Sequence, residues 1–283
     1  MKISTIGFYG IRNIGPGLVQ TLAARGMHSV VYEKNDDIYH NAVSLIESNV
    51  EYEIAHWGMT RKDKKVMMSR IEHIDSSDEL FKKDIDILIE SVEENIEVKK
   101  HTIDKIKDKL NLNIPVILTS QINRLEDILP DDSISGRCVN IHPVPSVPVY
   151  KLIEMTRHKN TSDVTIEIIE GFMDKLDLEI IEIPDCAGGI GPRIFVSTVL
   201  EACSAFERAG VDFKSADDIM KKGLRMYKGP LTMADELGLH TVKMWIDEMS
   251  KFDPEAYKMP GILTKLMGGG YTGAGKDEGF LKE

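Results

Sequence analysis

The stretch "KISTIGFYGIRNIGPGLVQTLAARG" (2–26) constrains this chain more than any other. A short apolar run leads into a glycine-punctuated turn, and a helical pattern follows at once and stops at Gly26. That order reads as strand, tight turn and helix, the unit that holds a phosphate on the free N–H groups and positive dipole end of a helix start. Three glycines serve such a turn. The first lets the chain bend, the second lets backbone approach a pyrophosphate, and the third lets helix and strand pack closely. Gly10 and Gly15 fill the first and third places, but Arg12 stands in the middle one. Arg12 must pair with the phosphates or occupy their space, and a guanidinium is a good phosphate partner. The expected cofactor-binding set here is Gly10, Arg12, Asn13, Ile14 and Gly15. Glu33 ends the next strand, "HSVVYEK" (28–34). A carboxylate there accepts from ribose hydroxyls and repels a 2′-phosphate, which selects NAD over NADP.

The alternation continues. "IDILIES" (85–91), "IPVILTS" (114–120) and "GRCVNIHP" (136–143) read as strands, with a helix over 95–110. Strand–helix–strand spacing of this kind predicts a parallel sheet covered by helices. Residues 36–70 read as a helical pair inserted in the sheet domain, with Thr60 capping "GMTRKDKKVMMSRI" (58–71). A strand over 147–155, a helix near 162–175 and a strand over 178–184 complete the first domain. The glycine-rich "DCAGGIGPR" (185–193) marks its end, and only helical patterns follow, at 193–209, 215–225, 231–251 and 261–268. The expected organisation is a mostly parallel α/β domain over 1–186 and an all-helical domain over 187–283.

The chain of 283 residues, 42% apolar, can fill two cores. Its net charge of −11 argues against a nucleic-acid partner. No apolar run approaches the ~20 residues of a membrane span, and the N-terminus enters a strand pattern without a signal-peptide layout. Cys138, Cys186 and Cys203 are widely spaced with no CxxC pair, so reduced thiols in a cytoplasmic protein are expected, and no metal site.

Five further stretches carry a resemblance: "SVEENIEVKK" (91–100), "NIHPVPSVPVYKLIE" (140–154), "GGIGPRI" (188–194), "GPLTMADELGLHTV" (229–242) and "GYTGAGKDEGF" (270–280). In order and spacing the chain resembles the 3-hydroxyacyl-CoA dehydrogenase family over nearly its whole length. The resemblance implies a Rossmann-type sheet domain, a helical dimerising domain, and NAD-linked oxidation of a 3-hydroxyacyl thioester, a small-molecule substrate. It places the family's catalytic histidine and glutamate at His142 and Glu154, and its nicotinamide-side segment at Glu93 and Asn95, with Lys99 one helical turn on. Imidazole ordinarily titrates near pH ~6.5 and suits a proton acceptor at neutral pH. A lone histidine after "VNI" is more often structural; the surrounding motif reverses that reading. Lys62, Lys64 and Lys65 are candidates for CoA phosphates, with a solvated face as the alternative. Met244, Trp245, Met249 and Phe252 lie at helical spacing and suit a core or a subunit interface.

The departures from the family pattern cluster at the expected site. Besides Arg12, Asn123 of "QINRL" stands where the family has the serine that binds the substrate oxygen. Pro145 and Pro192 replace asparagines, Pro192 beside a retained Arg193. Asn123, Pro145 and Pro192 are therefore the expected substrate-side positions. Asn123 can still donate and accept, whereas proline has no donor. Two readings stay open: a dehydrogenase rebuilt around the His142/Glu154 pair, or a dinucleotide-binding paralogue that has lost turnover.

Overall fold

A computed structural model describes residues 3–143, 151–273 and 279–281. Its contacts divide the chain into two units, Met1–Cys186 and Ala187–Glu283.

The first unit runs β1 (Thr5–Tyr9), α1 (Gly15–Ala24), β2 (His28–Tyr32), α2 (Asp36–His56), α3 (Arg61–Met68), β3 (Ile71–Ile74), α4 (Ser77–Leu80) and β4 (Ile87–Glu90). It continues through α5 (Ile96–Lys109), β5 (Val116–Leu118), α6 (Leu125–Ile128), α7 (Asp132–Ser135), β6 (Cys138–Pro143), β7 (Leu152–Arg157), α8 (Asp163–Lys175) and β8 (Glu179–Glu182). The strands form one sheet of order β3-β2-β1-β4-β5-β6-β7-β8. All neighbours are parallel except β6 and β7, which are antiparallel. The order reverses between β1 and β4, and α/β sheets bind ligands at such a reversal, outside the carboxyl ends of the strands.

Alternation sorts the side chains to two faces. Ile6, Phe8, Ile87, Ile89, Ile117, Val139, Ile141, Ile153 and Met155 enter one apolar core with α1 and α8. Leu88, Val116, Leu118 and Cys138 enter the other with Ile103 and Ile106 of α5. Both cores sit on parallel strands that are buried on both faces, as helical crossovers require. Burial pushes the Cys138 thiol up to about 12, so it packs as a small apolar group.

Two sequence expectations need correction here. The helix expected to run to residue 71 ends at Met68, and Ile71–Ile74 form the edge strand β3 beside β2. The helical pair over 36–70 is therefore the β2–β3 crossover and not an insertion outside the sheet rhythm. Four residues of alternating burial directly after an amphipathic helix give too short a period-two signal to stand out. The strand expected at 147–155 starts at Leu152, and residues 147–150 lie outside the described ones.

The second unit is helical: α9 (Gly191–Ala209), α10 (Phe213–Gly223), α11 (Pro230–Leu237), α12 (Leu239–Ser250) and α13 (Gly261–Gly268). The single helix expected over 231–251 breaks at Gly238, whose φ of +91° only glycine adopts without strain. Trp245 and Met249 are buried in this unit, while Phe252 is 50% exposed. Asp217, buried, accepts from the N–H groups of Leu231 and Thr232 at 2.8 Å and caps α11.

Candidate active site

The turn after β1 is built against the end of β4. Gly10 takes φ +86°, and a Cβ there would lie 2.5 Å from the Ser91 carbonyl oxygen. The Arg12 N–H donates to that carbonyl at 2.8 Å, and Ser91 Oγ donates to the Arg12 carbonyl at 2.6 Å. Asn13 turns the chain at φ +53°, a left-handed conformation asparagine tolerates, and its Nδ2 donates to the Val92 carbonyl at 3.2 Å. A Cβ on Gly15 would come within 2.9 Å of Ser91 Oγ. Both glycines are thus required by packing on Ser91, whatever the turn binds. The Ile14 side chain is buried in the core, so this residue can offer a ligand only its backbone.

Helix α1 starts without a side-chain cap; Gly15 N–H donates to the Arg12 carbonyl at 2.8 Å and Pro16 has no N–H, so Gly17 supplies the first-turn donor that a phosphate could take. The Arg12 guanidinium lies beside Glu93, Nη1 to Oε2 3.7 Å, with 36% of the side chain exposed and accessible to an anion. Glu33 is buried at the end of β2; its Oε2 accepts from Ile11 N–H at 3.3 Å and its Oε1 from Asn35 N–H at 3.2 Å. Each oxygen keeps a lone pair that can take a ribose hydroxyl. The residues present therefore fit a dinucleotide: an uncapped helix start and a cation at the pyrophosphate end, a carboxylate at the ribose end.

Lys99 has a different place from the one expected. Its side chain is wholly buried, with Nζ 3.1 Å from both oxygens of an equally buried Glu90. Glu90 Oε1 also accepts from Val92 N–H at 2.8 Å. Burial pushes the Glu90 carboxyl above its ordinary range, opposed chiefly by the Lys99 ammonium. Expected on the nicotinamide side, Lys99 is instead enclosed against Glu90. Asn95 caps α5 by accepting from Glu97 and Val98 N–H.

His142 and Glu154 stand directly opposite each other in the β6–β7 ladder. His142 Nδ1 lies 3.3 Å from Glu154 Oε2, and both side chains are buried. The ladder fixes the pair without help from a loop: opposed cross-strand residues on one face bring their Cβ atoms within about 5 Å. They project on the face opposite Ile141, Ile153 and Met155. His142 is the penultimate residue of β6 and so lies at the carboxyl edge of the parallel strands.

Asn123 lies in the loop after β5, with its N–H donating to Ser120 Oγ at 3.0 Å and its Nδ2 to Glu94 Oε1 at 2.8 Å. Pro192 is buried in the first turn of α9, where the missing N–H costs nothing. Pro145 lies outside the described residues. Lys64 pairs with Glu51 at 2.7 Å, and Lys62 and Lys65 are exposed. Sequence reasoning missed Ser91, Glu90, Glu94, Ser120 and Asn140. The available signal was the run of carboxylates in "IESVEEN" (89–95), immediately before a helix cap.

A sheet reversed at a glycine turn, an acid closing the second strand, and a buried histidine–carboxylate pair at the carboxyl edge define a dinucleotide-binding α/β protein with a helical second unit. The model of the 3-hydroxyacyl-CoA dehydrogenase NAD binding domain matches residues 5–186, and that of the family's C-terminal domain matches residues 188–283. The chain belongs to the 3-hydroxyacyl-CoA dehydrogenase family, and its cofactor is NAD. A probable 3-hydroxyacyl-CoA dehydrogenase of Caenorhabditis elegans is 26% identical over 99% of this chain and 95% of its own. A 3-hydroxybutyryl-CoA dehydrogenase of Bradyrhizobium diazoefficiens is 24% identical over 98% and 94%. The crystal structure of (S)-3-hydroxybutyryl-CoA dehydrogenase from Ralstonia eutropha shares the fold, with a TM-score of 0.85 at 24% identity over 99% of both chains. Among the described residues, no helix is long and apolar enough to cross a membrane.

Proposed function

We propose that this chain oxidises the 3-hydroxyl of a 3-hydroxyacyl-CoA, or of a related 3-hydroxy acid, to the 3-keto compound, and runs the reverse. The observation that carries this reading is the buried contact of 3.3 Å between His142 Nδ1 and Glu154 Oε2. NAD, when bound, supplies the hydride acceptor. With Nδ1–H donated to Glu154, the ring holds its lone pair at Nε2, and Nε2 takes the proton of the substrate hydroxyl. Glu154 keeps the ring in that tautomer and stabilises the imidazolium that forms. Gly10, Arg12, Asn13, Ile14, Gly15 and Glu33 hold the dinucleotide, and Glu93 sets the Arg12 guanidinium beside it. Asn123 meets the substrate oxygen in place of the family's serine. Relatives named for 3-hydroxybutyryl-CoA support a short acyl chain.

The test is hydride transfer. Absorbance at the NADH band should change with 3-hydroxybutyryl-CoA or acetoacetyl-CoA. Tight NADH binding with no turnover across short and long acyl chains would instead support a non-catalytic NAD-binding role, a reading favoured by the arginine in the glycine turn. We further propose a cytoplasmic homodimer formed through the helical unit, where Ile219, Leu224 and Tyr227 are 62%, 69% and 82% exposed. Sedimentation at twice the monomer mass supports that assembly, and a monomer rejects it.

A further inference from the structure

Asn140 lies on β6 two residues before His142, so the two side chains leave the same face of the sheet. It is 5% exposed. A carboxamide buried to that depth loses its hydration and must recover it in hydrogen bonds. Asn140 commits both of its groups to one residue. Its Oδ1 accepts from Ser120 N–H at 2.7 Å, and its Nδ2 donates to the Ser120 carbonyl at 3.0 Å. The pairing fixes the orientation of the amide, since a flipped one would set N–H against N–H and oxygen against oxygen.

Ser120 lies two residues beyond the end of β5 at Leu118. The last rung of the β5–β6 ladder joins Leu118 to Asn140. The Asn140 side chain therefore carries the ladder one step further, to a residue outside both strands. Ser120 Oγ in turn accepts from Asn123 N–H at 3.0 Å. Asn140, Ser120 and Asn123 thus connect the strand that bears the base to the loop position that meets the substrate oxygen. Asn123 Nδ2 carries two hydrogens. One is given to Glu94 Oε1 at 2.8 Å, and among the described residues no acceptor takes the other. That second hydrogen can donate to the reacting oxygen, whose own proton goes to His142.

We propose that Asn140 is a positioning residue that, through Ser120, ties Asn123 to β6 and so sets the spacing between Asn123 and His142. The group that holds the carbinol oxygen and the base that takes its proton must keep a fixed separation, and a misplacement of about 1 Å costs on the order of a hundredfold in rate. The catalytic part of this inference rests on the dehydrogenase reading; the tie rests on the hydrogen bonds alone.

A double-mutant cycle on single-turnover oxidation of 3-hydroxybutyryl-CoA by NAD-saturated enzyme tests it. Asn140→Ala should slow the NADH signal roughly tenfold to a hundredfold, with the NADH Kd within about twofold of the parent enzyme. In the Asn123→Ala background the same change should cost less than about threefold, because the amide it places is gone. A loss of the same size in both backgrounds, or a matching loss of NADH affinity, would overturn the proposal, since Asn140 would then serve the sheet or His142 without Asn123. The tie has a readout that needs no turnover. Backbone hydrogen exchange at Ser120 and Asn123 should quicken in Asn140→Ala, while Ile117 and Leu118 of β5 exchange as in the parent. Asn140→Thr, whose shorter hydroxyl cannot span both Ser120 groups, should give the same local pattern if the alanine variant does not fold. Unchanged exchange at Asn123 sinks the tie, whereas quickened exchange there in a chain without turnover sinks only the dehydrogenase reading.

Discussion

Glu90 and Glu93 stand three residues apart in the segment from β4 to α5, and each holds a cation, but they occupy opposite electrostatic regimes. The Glu90–Lys99 pair has no exposed surface on either side chain. The Glu93–Arg12 pair is 46% and 36% exposed and spans 3.7 Å. In the first, water is excluded, so each charge depends on the other for its solvation. In the second, solvent screens both, and the pair can open at little cost. The lesson is a division of labour. The buried pair fixes the shape of the segment behind the turn. The exposed pair leaves the Arg12 guanidinium within reach of solvent anions.

The largest way to break this comparison is Lys99→Met. It should lower unfolding stability by about 3–5 kcal/mol in denaturant titration, because a buried carboxylate loses its partner. The sign of its pH dependence follows from the raised Glu90 carboxyl. A carboxyl whose folded pKa lies above its unfolded value favours the folded state at low pH. The loss should therefore be greatest near neutral pH and shrink as pH falls toward the ordinary carboxyl range. A loss that grows with acid would contradict the buried-pair account.

The next is Arg12→Gly, which restores the middle glycine. Removing an exposed pair should change stability by less than about 1 kcal/mol. NADH binding by the parent chain should weaken with added salt more steeply than binding by the variant. Equal salt slopes would show that the guanidinium never meets the phosphates.

The smallest effect falls away from the site, at another exposed pair. Asp131, held down to about 2 by the Ser133 hydroxyl and N–H and then by Lys107, caps α7. A depressed carboxyl contributes stability above its unfolded pKa and loses it as pH falls through the folded one. Asp131→Asn should be slightly less stable than the parent at neutral pH and equal to it near pH ~2. A difference that persists into acid would mean that the hydrogen bonds, and not the charge, carry the effect.

Much of the scaffold was legible because its signals are periodic. The strand–turn–helix at 2–26 and the buried strands each announce themselves within a few residues. β3 did not, because four residues hide behind an amphipathic helix. The break between α11 and α12 rests on one glycine inside a spacing that stays helical. At the site, the His142–Glu154 pairing depends on strand register across residues 144–151, which no local pattern encodes; only the resemblance suggested it. The three glutamates at 90, 93 and 94 are chemically identical in the sequence. Burial separates Glu90 from the other two, and direction separates Glu93, beside Arg12, from Glu94, which faces the loop after β5. Lys99, expected on the nicotinamide side, turns out to be a buried partner of Glu90, a depth its place on α5 does not reveal.

The central claim is that His142, steadied by Glu154, takes the proton of the oxidised hydroxyl. Single-turnover oxidation of 3-hydroxybutyryl-CoA in NAD-saturated enzyme, followed at the NADH band, tests it most directly. Relative to the parent chain, His142→Ala should slow the signal roughly 10²–10⁴-fold while NADH binds as before. An unchanged rate in His142→Ala would contradict the account.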